Sequence, residues 1–362
     1  MCKNLIAALA ACLLSLTAPL SDALAGSAPL KIGFVYVTPL SDTGWVHQHD
    51  EGRKAMQVAL GDKVQTHFVE NTPEGPDAER VIRDMAANGY GLIFTPSFGY
   101  MGPTLRVAQD FPQVRFESIT GVKTAHNVAT ANARYYEGRY LAGVAVGRMT
   151  RSHVVGYVAS IPIPEVLQGI NAFTLGLRSV NPRAQVRLIW LDTWFDPARE
   201  RDAAMTLMNQ GADVLAFHTA SNAVMVAAQE RGKLAVAYHS DMRAVAPDAQ
   251  ILAVTHQWGA YYTQRARAVL DGTWRSDQTW GGVREGMVRV EGFGPRVPPA
   301  VREEVLAYQR DIAAARLHPF RARHGDVRDN RGHIVIAAGQ TLSDAQIQTM
   351  HWLVEGVQGT LP

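Results

Sequence analysis

Lys31-Ile32-Gly33-Phe34-Val35-Tyr36-Val37 opens a series of alternating segments, and Val154-Val155-Gly156-Tyr157-Val158 opens a second one. The first is a short apolar, β-branched run ended by Pro39, which reads as a strand buried on both faces. Outward from it, Val46–Leu60 is helical in composition, Val64–Val69 strand-like, and Pro76–Ala87 carries Val81, Ile82, Met85 and Ala86 at helical spacing. Strand Gly91–Thr95, helix Pro103–Gln109 and strand Val114–Glu117 continue the alternation, and Tyr135–Met149 is a long helix. After the second opening come helix Pro164–Leu177, strand Val186–Leu191, helix Pro197–Asn209, strand Val214–Phe217, helix Asn222–Glu230 and strand Leu234–Ala237. Alternation of this kind implies βαβ units and mostly parallel sheets covered on both faces. Two such halves describe an α/β protein of two lobes with a cleft between them. The remainder reads as a helix at Val301–Ala315, a hairpin around Asp329–Gly332 and a last helix at Asp344–Val354.

A chain of 362 residues has room for two domains, and 35 Lys and Arg against 33 Asp and Glu provide no basic field for nucleic acid. Both cysteines, Cys2 and Cys12, fall in an N-terminal stretch with Lys3, an apolar run Leu5–Leu16 and a small-residue Ala23-Leu24-Ala25 site, the plan of a secretory signal peptide over residues 1–25. Leu9-Ala10-Ala11-Cys12 also resembles a lipobox, which would leave a lipid anchor on Cys12 instead. Either way the expectation is export to the periplasm.

In open α/β sheets ligands sit beyond the carboxyl ends of the strands. The rule selects the loops at 38–45, 96–101, 160–165, 192–196, 218–221, 239–241 and 255–258. They hold little catalytic chemistry. The first βα turn lacks both glycine-rich phosphate-binding patterns, and Thr95-Pro96-Ser97-Phe98-Gly99 lacks the first glycine of a nucleophile elbow. His47-Gln48-His49-Asp50 fits no metal-ligand spacing and reads as a solvated or capping stretch, so neither metal nor cofactor is expected. Aromatic rings are what the loops do hold: Trp45, Phe98, Tyr100, Trp194, Phe195 and Trp258. Flat rings with a few polar groups suit a flat heteroaromatic ligand. Glu165 and His218 fall in the same loops. Asp42 reads equally as a helix cap or a cleft carboxylate, and Asp241 is the best carboxylate for ligand N–H or O–H groups.

Asp42-x-Gly44-Trp45, His49-Asp50-x-Gly52, Tyr136-Glu137-Gly138-Arg139-Tyr140-Leu141-Ala142-Gly143, Ile163-Pro164-Glu165-Val166, Thr193-Trp194-Phe195-Asp196-Pro197-Ala198, Gln210-Gly211-Ala212-Asp213-Val214, Ser240-Asp241 and Leu270-Asp271-Gly272-Thr273-Trp274 occur in this order. Together they resemble the basic membrane protein family, substrate-binding proteins of ABC transporters related to purine nucleoside receptors. The resemblance implies a type I periplasmic binding fold, two Rossmann-like lobes joined by three crossovers. Residues 26–150 with about 256–285 would form one lobe, and 151–255 with about 286–362 the second lobe and a C-terminal extension. It implies no enzymatic activity, a purine captured by a monomer, and delivery to an ABC permease in the membrane. By motif, Trp45 and Trp194 stand where ring-stacking aromatics are expected and Asp241 where a carboxylate faces ligand, while Glu137 supports a crossover. Where the family commonly has Lys-Asn near a ribose, this chain has His256-Gln257-Trp258, which favours a free base, adenine first, over a nucleoside. A receptor component that senses ligand would use the same cleft.

Overall fold

The structure, a computed structural model, describes residues 28–362; the expected signal peptide, Cys2 and Cys12 lie outside the described residues. The chain runs β1 (Leu30–Val35), α1 (Gly44–Leu60), β2 (Val64–Val69), α2 (Pro76–Ala87), β3 (Leu92–Pro96), α3 (Met101–Asp110), β4 (Arg115–Ile119) and β5 (Val128–Ala133). It continues through α4 (Tyr135–Met149), β6 (Val154–Ala159), α5 (Pro164–Val180), β7 (Gln185–Trp190), α6 (Pro197–Asn209), β8 (Val214–His218), α7 (Ala223–Glu230), β9 (Leu234–His239) and β10 (Gln250–His256). The last part holds α8 (Gly259–Leu270), β11 (Gln278–Gly281), β12 (Val288–Glu291), α9 (Pro299–Ala313), β13 (Val327–Arg328), β14 (Ile334–Ile336), α10 (Asp344–Gln348) and β15 (Val357–Gln358).

Two sheets result. The first, in the order β11-β5-β4-β3-β1-β2, is parallel throughout. The second, β12-β10-β9-β8-β6-β7-β15, is parallel except for β12 against β10. Every residue of β3, β8, β9 and β10 is buried, as strands covered on both faces must be. The chain passes between sheets three times, at β5–α4, at β10–α8 and at β11–β12.

One boundary differs from the sequence expectation. Helix α4, assigned there to the first lobe, packs along α5 over the second sheet. The two backbones meet where Gly143 and Gly176 carry no side chain: a Cβ on Gly143 would strike the Phe173 carbonyl, and one on Gly176 the Tyr140 carbonyl. The second lobe therefore starts at Tyr135. The last helix is also shorter than expected, because α10 ends at Gln348 and the chain then extends to lay β15 beside β7. Glu137 ties two crossovers together by accepting the Val283 N–H at 2.7 Å.

Candidate functional site

Both sheets point their carboxyl ends at one interlobe cleft. The cavity there has an empty volume of about 450 Å³. From the first lobe it is lined by Val37 after β1, Trp45 on α1, Ser97 and Phe98 after β3, and Thr120 after β4. From the second come Ile163 and Glu165 at the start of α5, Trp194 after β7, His218, Thr219 and Ala220 at the end of β8, and His239 closing β9. One wall is rings and hydroxyls; the other carries the ionisable groups.

Thr120 and His239 sit in left-handed backbone, with φ of 66° and 72°. Such strain in non-glycine residues, one of them β-branched, persists where the surroundings impose it and clusters at ligand sites. Trp45 is fixed by its indole N–H, which donates to the Pro96 carbonyl at 2.8 Å, and by the edge of His49, 4.2 Å away between ring centroids. Trp194 is half-buried, and its Nε1 is buried without a hydrogen-bond partner among the described residues.

Two bonds cross between the lobes at the cleft. The Gly44 N–H donates to Ser240 Oγ at 2.8 Å, and Asn132 Nδ2 donates to Glu165 Oε2 at 2.8 Å. Gly44 has φ of 89° and lies against the Ala220 carbonyl, where any side chain would collide. The Glu165 carboxyl is pushed up to about 7 by burial, which the single Asn132 bond only partly opposes. His218 Nε2 lies 3.8 Å from its other oxygen, and burial holds His218 neutral, well below the usual histidine range.

Of the nine residues expected at the site, Trp45, Phe98, Glu165, Trp194 and His218 line this cleft. The other four do not. Tyr100 points into the core of the first lobe and donates its hydroxyl to the Thr72 carbonyl at 2.5 Å. Asp42 is exposed, and the helix cap is Thr43. Asp241 faces a separate, wide groove near the crossovers and is held by Arg243, with Nη2–Oδ2 at 2.5 Å. Trp258 is buried behind the cleft wall, its indole N–H donating to His256 Nδ1 at 2.6 Å. The expectation of a solvated His49-Asp50 is overturned, since both are fully buried: His49 packs against Trp45 and Trp258, and Asp50 accepts from Arg53 at 2.7 Å.

Lining residues missed in the sequence include Val37, Ser97, Thr120, Ile163 and Ala220. Val37 and Thr120 lay outside the loops selected by the strand-end rule: Val37 was read as part of the first strand, which ends at Val35, and no loop after the strand at 114–117, which runs on to Ile119, was selected. Among the described residues, no group of three or more His, Cys, Asp or Glu is arranged to hold a metal ion, and no helix is long and apolar enough to cross a membrane.

Residues 30–319 match the Bmp family, described as ABC transporter substrate-binding protein PnrA-like. The chain is 46% identical over 333 residues to a purine-binding protein of Brucella abortus, across 92% of this chain and 94% of that protein. It is 34% identical over 334 residues to a protein of Haloferax volcanii described as a candidate ABC transporter glucose-binding protein, across 92% and 81% of the two chains. Among solved structures, an ABC transporter solute-binding protein from Aeropyrum pernix superposes with a TM-score of 0.68 over 80% of this chain and 93% of that one, at 17% identity. At that identity the likeness speaks for the fold alone, the type I periplasmic binding fold.

Proposed function

The chain belongs to the Bmp family of ABC transporter substrate-binding proteins, and from that premise we propose that it captures a free purine base, adenine first, in the interlobe cleft and delivers it to an ABC permease. Members of this family are extracytoplasmic binding proteins rather than enzymes, so the cleft has to recognise and release, not react. The observation that carries the purine reading is the pairing of rings across the cleft: Trp45 and Phe98 on one lobe, Trp194 on the other. A planar base between them gains about 0.5–1.5 kcal/mol per stacked pair beyond area burial. Glu165, His218, His239, Ser97 and Thr120 then offer donors and acceptors to the ring edge. The likeness to a purine-binding protein over nearly the whole chain supports the same class.

Closure couples binding to transport. A ligand that touches both lobes favours the arrangement in which Gly44 meets Ser240 and Asn132 meets Glu165, and a permease reads that closed form. The protein acts as an exported monomer under this reading, its first 25 residues serving as the signal peptide.

A nucleoside is the second reading, and one feature favours it. A polar chamber of about 740 Å³, lined by Asn132, Gln168, Gln278 and Gln348, adjoins the ring cavity and shares Phe98, Thr120, Ile163 and Glu165 with it. It would take a polar substituent on a base. Isothermal titration of protein unfolded and refolded to strip carried-over ligand decides between them. Adenine binding at least ten-fold tighter than adenosine or inosine is expected. The reverse order assigns the chamber to ribose, and heat with glucose but no purine discards the aromatic-ligand reading.

A further inference from the structure

Behind the cleft wall three buried rings form one chain of hydrogen bonds. Trp258 Nε1 donates to His256 Nδ1 at 2.6 Å, and His256 Nε2 meets His239 Nδ1 at 3.0 Å. Trp258, His256 and His239 are 1%, 0% and 3% exposed. An indole nitrogen only donates, so His256 Nδ1 has to accept and carries no proton. A neutral His256 then bears its proton on Nε2 and donates it to His239 Nδ1. By the same rule His239 accepts at Nδ1 and bears its proton on Nε2, which has no protein partner among the described residues. Burial keeps both imidazoles neutral: His256 is pushed down to about 3 and His239 well below the usual range.

We propose that Trp258 fixes the tautomer of His239 through His256, so that the second-lobe wall meets the ligand with an N–H donor at His239 Nε2 and selects a ligand atom that accepts a hydrogen bond. The surroundings hold the chain in place. His49 stacks on Trp258 at 4.9 Å between centroids, and its Nδ1 meets the Tyr262 hydroxyl at 2.5 Å. A Cβ on Gly52 would come within 2.8 Å of Trp258 Cβ and 3.0 Å of the Tyr262 ring, so a bare glycine is what lets the indole reach His256. The left-handed backbone at His239 turns the end of β9 so that this ring is shared between the chain and the cleft. Trp258 touches no ligand; it is a positioning residue, and His239 determines specificity.

The ligand half of the proposal rests on the purine reading, whereas the tautomer half stands without any ligand. Long-range ¹H–¹⁵N correlation spectra of the ligand-free, ¹⁵N-labelled protein are expected to show His239 and His256 both as Nε2–H tautomers from pH 6 to 8. Trp258→Phe keeps an aromatic ring, though a smaller one, and removes the donor, and is expected to convert the His239 signals to a mixture of tautomers. Should that variant not fold, His256→Leu is expected to release His239 in the same way, while His256→Gln, which can accept and donate as imidazole does, preserves the tautomer. In titrations against 1-, 3- and 7-deazaadenine, one analogue is expected to lose at least ten-fold against adenine in the parent protein and less than three-fold in Trp258→Phe. An Nδ1–H tautomer at His239 in the parent protein, or an unchanged His239 spectrum on loss of the Trp258 donor, overturns the relay. Absence of any purine binding to the parent protein defeats the ligand reading while the spectra still judge the relay.

Discussion

Glu117 with Arg265 in the first lobe and the partly buried Glu165 with the buried Arg139 in the second are held differently. In the first, the Glu117 carboxylate accepts from Arg265 Nε at 2.6 Å, the Tyr261 hydroxyl at 2.6 Å and Trp274 Nε1 at 2.7 Å, and Arg265 reaches on to Asp277 at 3.1 Å. In the second, Glu165 has Asn132 from across the cleft, and Arg139 donates to the Phe217 carbonyl and lies over the Tyr238 ring at 3.2 Å. Among the described residues Arg139 Nε and Nη1 have no hydrogen-bond partner, and no carboxylate lies within ion-pair distance of Arg139. A buried charge satisfied within its own lobe, as Glu117 is by Arg265 and Glu200 by Thr219 and Ser221, is rigid scaffold. A lobe that leaves polar capacity beside the cleft keeps it for what enters there.

The largest effect that comparison predicts is on stability. Arg265→Met strands a carboxylate that is fully buried and should cost about 3–5 kcal/mol, measured by denaturant unfolding. Arg139→Met removes an arginine with no carboxylate partner and should cost less than half as much, because it leaves no charge behind. Equal losses at the two sites would erase the distinction between the lobes.

How far these features were legible in the sequence follows from what fixes them. The run Lys31–Val37 announces β1 because burial on both faces demands continuous apolar residues. Strand β5, Val128-Ala-Thr-Ala-Asn-Ala133, alternates Ala with Thr130 and Asn132 but has only two β-branched residues and no large apolar one beyond Val128, and β11, β12 and β15 are too short to carry a period; all are set by their sheet neighbours. At the site, the strand-end rule located the loops but not the direction of each ring within them. Tyr100 and Trp45 both flank strand ends, yet Tyr100 turns to the Thr72 carbonyl and Trp45 to the cleft. Nor does sequence spacing bring His49, His239 and His256 together, since three elements from two lobes converge there. Asp241 sits where its motif suggests, but Arg243 two residues on captures it.

The next effect sharpens the contrast between the two glutamates through pH. The Glu165 carboxyl is raised from its ordinary 4.5 to about 7, so the folded state holds a proton that the unfolded state releases. Stability from this group is therefore full below about pH 4.5 and falls as pH rises to about 7, by about 3 kcal/mol at most. Glu165→Gln cannot ionise and still accepts from Asn132. It should match the parent at pH 4 and exceed it at pH 8 in unfolding experiments. A residual slope should persist in both, because burial also raises Glu137 to about 7. Burial raises the Glu117 carboxyl too, so its contribution is common to both proteins, and identical pH profiles would show that Glu165 is not raised.

On the ligand side the rings carry the test. Trp194→Ala should weaken purine binding by about 2 kcal/mol, roughly thirty-fold, as expected for an aromatic anchor at a desolvated contact, while changing stability little because the side chain is half-buried on a loop. Trp45→Ala should weaken binding too, but with a stability cost, since it also breaks the bond to Pro96 and opens space beside His49. Calorimetric titration paired with thermal unfolding separates the two. If Trp194→Ala bound purine as the parent does, the second lobe would contribute polar groups alone and the ring pairing across the cleft would be lost.

The smallest effect is expected at Asp241, and its smallness is informative. Its carboxylate is bound by Arg243 Nε at 2.8 Å and Nη2 at 2.5 Å and by Gln250 Nε2 at 2.8 Å, in a groove distinct from the ring cavity. A partly exposed pair of this kind contributes about 0–1 kcal/mol. Asp241→Asn should thus leave purine affinity within two-fold and lower stability by less than about 1 kcal/mol. A ten-fold loss of affinity would mean that Asp241 leaves Arg243 when ligand enters the closed cleft. The recognition surface would then extend beyond the ring cavity, and the second lobe would commit to the ligand a carboxylate that Arg243 holds in this structure.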